Sequence, residues 1–115
     1  MKGDKPFVGT SMELDTHFVV YIPSTSGNYK KRIDEAIGFF TKLFGGTTEF
    51  SAVGTYVSQK TGMVIREKVA LVDVYTTRDN WDKKKDMIKG WLKSKKKAWK
   101  QEELAIQFEE DMYWV

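Results

Sequence analysis

The spacing of apolar residues divides the chain into six segments and a short tail. Thr16-His17-Phe18-Val19-Val20-Tyr21-Ile22 is a β-branched and aromatic run stopped by Pro23, which cannot donate to a sheet ladder, and it predicts a first strand. Over residues 29–44, Ile33, Ala36, Ile37, Phe40, Leu43 and Phe44 recur every three or four positions, and Gly45-Gly46 supplies a left-handed stop; this predicts an amphipathic helix. Its buried stripe should be Ile33, Ile37, Phe40 and Phe44, with Lys30, Lys31, Asp34, Lys42 and their neighbours in water. Residues 48–58 and 63–76 are rich in Thr, Val, Phe and Tyr around the polar turn Gln59-Lys60-Thr61-Gly62, and predict a β-hairpin. Within it, residues 69–75 are nearly continuous in apolar character, as in a central strand, with Asp73 the exception. Residues 76–80 offer cap oxygens, and Trp81, Ile88, Trp91, Leu92 and Trp99 mark a second helix over residues 81–100. Residues 104–108 alternate as a strand, and Glu109-Glu110-Asp111 turns the chain into a short return over 112–115.

Strand, helix, strand, strand, helix, strand is the order of an α+β ferredoxin-like βαββαβ sandwich: an antiparallel sheet with two helices on one face, here with a short C-terminal hairpin. The first and third strands are then central neighbours, and the fourth lies on the far side of the first. Alternation sends Phe18, Val20, Ile22, Ala70, Val72 and Val74 towards the helices. It sends His17, Val19, Tyr21, Val69, Leu71, Asp73, Tyr75 and Gln107 to the open face. A face carrying Val19, Tyr21, Leu71 and Tyr75 is too apolar for water, so a partner chain, a terminal arm or a small ligand should cover it. Residues 1–15, with Gly3, Pro6 and Gly9, show no period and read as a flexible N-terminal arm, leaving 16–115 as a single domain.

Composition narrows the chemistry. The 115 residues include no cysteine and one histidine, which excludes disulfides, thiolate ligands and a multi-histidine metal site within one chain. Neither metal nor cofactor is expected. No stretch approaches the roughly 20 apolar residues of a bilayer span, and residues 1–6 lack a signal-peptide core, so the expectation is a cytoplasmic protein with no membrane partner. The formal charge of +3 hides a segregation: residues 81–100 hold nine lysines against Asp82 and Asp86, a net +7 that leaves −4 for the remainder.

Three groups of residues could carry function. His17, Asp73 and Tyr21, with Tyr75 and Gln107, gather on adjacent strands, where a histidine beside a carboxylate suits a general base. The same residues also suit a hydrogen-bonded cluster inside an interface. Lys89, Lys93, Lys96, Lys97 and Lys100, interleaved with Trp91 and Trp99, could meet phosphates while the indoles stack on bases, or could form an ordinary solvated helix face. Residues 24–28 leading into Lys30-Lys31-Arg32 could attract an anion to a helix start, or simply cap it.

Ile22-Pro23-Ser24, Leu43-Phe44-Gly45-Gly46-Thr47-Thr48, Gly54 and Gln107 resemble a family of small uncharacterised prokaryotic proteins over about residues 17–115. That resemblance implies a ferredoxin-like fold with a Phe-Gly-Gly-x-Thr segment after the first helix, and a Gln-containing strand before the closing hairpin. It implies no activity. The leading expectation is therefore a non-catalytic binding or interaction domain, a homodimer or docking module using Val19, Tyr21, Leu71, Tyr75 and Gln107. The alternatives are a small cofactor-independent enzyme using His17 and Asp73, and a non-specific nucleic-acid binder using residues 81–100.

Overall fold

The computed structural model describes residues 13–25 and 27–115. Its elements run β1 (Thr16–Pro23), α1 (Tyr29–Phe44), β2 (Thr48–Val57), β3 (Val64–Thr76), α2 (Arg78–Ala98), β4 (Ala105–Phe108) and β5 (Asp111–Trp114). All strand pairs are antiparallel, in the order β2-β3-β1-β4-β5. The ferredoxin-like arrangement is therefore present, extended by the closing hairpin. Most of the arm expected over residues 1–15 lies outside the described residues.

β1 is the axis of the sheet. Its inward residues Phe18, Val20 and Ile22 are fully buried and meet Ala70, Val72 and Val74 of β3 in register. Phe18 packs its ring edge-on against Phe40 and Phe44 of α1 and leans on Trp81 of α2, so one side chain joins both layers. Such ring pairs add about 0.5–1.5 kcal/mol each beyond the area they bury. Ile88 and Leu92 of α2, Trp99 at its C-cap, and Leu104 and Ile106 complete the core.

The helices depart from expectation in their buried face and at their starts. The face of α1 that is fully covered is Arg32, Ala36 and Phe40, while Ile33, Ile37 and Phe44 only border the core. Arg32 is 2% exposed rather than solvated, because its guanidinium donates to the carbonyls of Pro23, Thr25 and Trp99 at 2.9, 2.5 and 3.3 Å. It also faces the Trp99 ring. It is thus no anion site, and burial lowers its pKa. Nor does Asn28 cap α1 through its side chain: it takes a left-handed conformation and its carbonyl accepts from the Arg32 amide. α2 starts three residues earlier than predicted because Thr77 is the cap, its hydroxyl accepting from the Asn80 amide at 3.2 Å.

β2 and β3 run on beyond the helices, which gives the molecule its long dimension of 53 Å. There Val53, Tyr56, Val57, Met63 and Val64 are exposed. At the other end of the chain, the backbones of Leu104 and Val115 pair in both directions, at 3.1 and 2.8 Å, which closes the terminal hairpin. The turn lacks glycine, and Glu109 itself adopts a left-handed φ of 54°.

Replacing Arg32 with Ala should cost about 3 kcal/mol in urea unfolding, since three carbonyls, that of Trp99 buried, lose a charged donor together. Glu35 accepts from Lys95 at 2.8 Å, and this bond holds its carboxyl below the usual range. A depressed carboxyl stabilises the fold above its unfolded pKa, about 4.3, and that contribution is lost as pH falls through the lower folded value. Glu35→Gln should therefore remove about 0.5–1 kcal/mol at pH 7, and the gap from the unsubstituted chain should close in melts taken at progressively lower pH below about 4.

Candidate functional site

Three strands bring the polar residues of the open face together. Register places His17 opposite Tyr75, Val19 opposite Asp73 and Tyr21 opposite Leu71, with Gln107 of β4 on the other side of Val19. His17 Nε2 lies 2.7 Å from Asp73 Oδ1, and the imidazole stacks on Tyr75 at 4.2 Å between centroids. Asp73 is an acceptor when ionised, so it selects the tautomer with hydrogen on Nε2 and leaves the lone pair on Nδ1. With side chains 24% and 18% exposed, the pair is sheltered yet reachable.

An open depression of about 450 Å³ adjoins the pair, lined by Leu14, Phe44, Gly45, Gly46, Thr47, Thr48, Asp73 and Tyr75. The Phe-Gly-Gly-x-Thr segment thus forms one of its walls. Gly45 has a φ of 88°, as a helix stop requires, and its amide donates to the Thr41 carbonyl. Thr41 and Thr47 share a hydrogen bond at 2.9 Å that fixes the loop, while Thr48 pairs with Asp73 across the ladder.

Tyr21 donates to Gln107 Oε1 at 3.4 Å, and Gln107 Nε2 donates to the Glu109 carbonyl at 2.9 Å. Val19 is a correction: at 5% exposure it offers nothing to a partner, being a short side chain in mid-sheet between Asp73 and Gln107. Leu71 is half-buried and Tyr75 exposed. Lys89, Lys93, Lys97 and Lys100 are exposed and Lys96 half-buried, but the indoles are not available for stacking on bases. Trp91 lies flat on Phe39 at 4.8 Å, and Trp99 is buried edge-on to Trp91.

Sequence reasoning passed over Glu67. It lies on the open face of β3 opposite Gly54, and its Oε2 is buried with no hydrogen-bond partner among the described residues. Gly54 was the available signal, because a glycine inside a strand leaves room for close approach. Glu67 stands six residues from Asp73 along the strand, about 20 Å, so it does not share the depression. Among the described residues no three His, Asp or Glu side chains gather as a metal site would need, and no helix is long and apolar enough to cross a membrane.

Fold and site together define a ferredoxin-like α+β domain with a histidine–carboxylate pair on its open sheet face. No known protein family matches the chain, and no curated protein does. Among solved structures it is similar to a phage SAM lyase in complex with S-methyl-5′-thioadenosine, with a TM-score of 0.66 over 92% of this chain and 95% of that one, at 13% identity. At that identity the likeness is one of fold.

The tautomer assignment can be tested directly. Nitrogen NMR of His17 at pH 8 should show hydrogen on Nε2 in the unsubstituted chain, and Asp73→Ala should raise the share of the Nδ1 form. Unchanged populations would show that Asp73 does not orient the ring.

Proposed function

We propose that this chain is a small enzyme that binds a sulfonium nucleoside of the S-adenosylmethionine class on its open sheet face and cleaves a carbon–sulfur bond in it. The observation that carries this reading is the 2.7 Å contact between His17 and Asp73 beside an open depression. The similar fold of a lyase that holds S-methyl-5′-thioadenosine supplies the substrate class. A sulfonium is already a good leaving group, so the protein need do little beyond orienting the substrate and moving a proton. His17 Nδ1 takes the proton from the carbon next to the one bearing sulfur, a double bond forms, and the carbon–sulfur electron pair leaves with sulfur as a neutral thioether. Asp73 holds the ring in the required tautomer and stabilises the imidazolium that forms. Tyr75, stacked under the imidazole, fixes its plane.

A second reading concerns the same face. Phe50, Tyr56, Tyr75 and Trp114 are exposed on it. These half-exposed rings are spread over the width and length of the sheet, and each offers an apolar anchor to a partner face. A second copy docked there would make the chain a homodimer, as the sequence led us to expect. Light scattering distinguishes the two states, and a monomer at tens of micromolar would remove the dimer.

Incubation with S-adenosylmethionine should release S-methyl-5′-thioadenosine, measured by chromatography. His17→Ala should slow release by about 10²–10⁴-fold. Glu67→Gln, about 20 Å away, should leave the rate within about twofold. No release by the folded chain would overturn the reading. Loss in Glu67→Gln but not in His17→Ala would move the site to the far end of β3.

A further inference from the structure

We infer that the C-terminal half of α2 is a docking surface for the phosphate backbone of duplex nucleic acid, independent of the open-face site. The first two turns of α2 mix charges and satisfy them locally. Asp79 pairs with Lys83, and Asp82 with both Arg78 and Lys85. Lys84 is spent as well, donating to the Leu43 carbonyl and lying over the Phe44 ring. From Lys89 onward the mixing stops.

Over that half, Lys95 alone among the described residues has an anionic partner, Glu35 of α1. Lys89, Lys93, Lys96, Lys97 and Lys100 form no ion pair among the described residues, and only Lys96 is even half-buried. At 100° per residue, positions 89, 93, 96 and 97 fall within one sector of about 100°, and they span about 12 Å of helix. Lys100 extends the row just past the helix end. Asp86, one turn before Lys89, is the last acidic residue on the helix; Glu102 and Glu103 follow Lys100, and Glu102 is paired with Lys60. Lysines in a last turn suit the helix dipole, but the dipole does not account for Lys93 and Lys89, which stand one and two turns further back.

What the helix withholds selects the partner. A helix that lies on a membrane needs an apolar face to insert, and here Ile88, Leu92 and Trp99 are consumed by the core. Single-strand binding needs free aromatic rings, and Trp91 and Trp99 are packed internally. A straight row of point charges without apolar or stacking groups matches a regular line of phosphates. It reads no sequence, since lysine on phosphate carries no base information.

Fluorescence anisotropy of the full chain with a labelled duplex tests this. Four or five phosphate contacts should give a slope of log affinity against log salt of about −4. Affinity should be equal for two unrelated sequences and no tighter for a single strand. The combined variant Lys89→Gln, Lys93→Gln, Lys96→Gln, Lys97→Gln should weaken binding at least about tenfold at low salt, with the slope falling towards zero. Lys30→Gln with Lys31→Gln on α1 should bind as the unsubstituted chain does. Lys93→Glu alone, with its melting temperature checked, gives the same direction if the combined variant is poorly behaved. No binding at low salt, equal binding by the variants, or binding to anionic vesicles that the duplex does not compete away would each overturn the proposal. Release of S-methyl-5′-thioadenosine should be the same in all these variants, so this surface and the open-face site fail or stand separately.

Discussion

Everything on the open face depends on the register of β1 between β3 and β4. Side chains alternate along a strand, so a slip of one residue would carry Phe18, Val20 and Ile22 out of the core and send His17, Val19 and Tyr21 into it. The cost is prohibitive because Phe18, Val20 and Ile22 are fully buried. The same burial fixes His17 opposite Tyr75, and Asp73, two residues before Tyr75 on β3, on the same face of the sheet. The histidine–carboxylate contact is therefore a by-product of core packing on the opposite side of the sheet. Arg32 secures the end of this strand: its guanidinium holds the carbonyls of Pro23 and Thr25 as β1 leaves the sheet, together with that of Trp99 at the end of α2.

The two helices carry different duties. α1 supplies packing, the buried arginine and, through its glycine stop, a wall of the depression beside Asp73 and Tyr75. α2 buries one narrow stripe and turns a strongly cationic side to water. Lys84, packed over Phe44 and bonded to the Leu43 carbonyl, shows how a lysine stem can serve the interior while its neighbours remain available. Structural and electrostatic roles are thus separated along α2, with balanced charge at its start and unbalanced charge at its end.

The order of elements was legible because long amphipathic segments declare their period, and the grouping of His17, Tyr21, Asp73, Tyr75 and Gln107 followed from alternation once the strand order was set. Arg32 was misread because a charged residue at a helix start normally faces solvent, and only the convergence of three carbonyls from distant segments makes its burial favourable. Val19 was misread because alternation tells which face a residue is on, not how deeply its neighbours cover it. Trp91 and Trp99 were left open between core and stacking until their ring contacts were known.

By itself the sequence determined the topology, the sides of the sheet and the segregation of charge, since each depends on local periodicity or on counting residues. The tertiary structure decided which buried polar groups have partners, which lysines are spent, and that a loop glycine pair borders the same depression as Asp73. Those are matters of distance between segments far apart in the chain, such as the 56 residues separating His17 from Asp73. No local pattern encodes a contact at that range; it arises when core packing brings the strands into register.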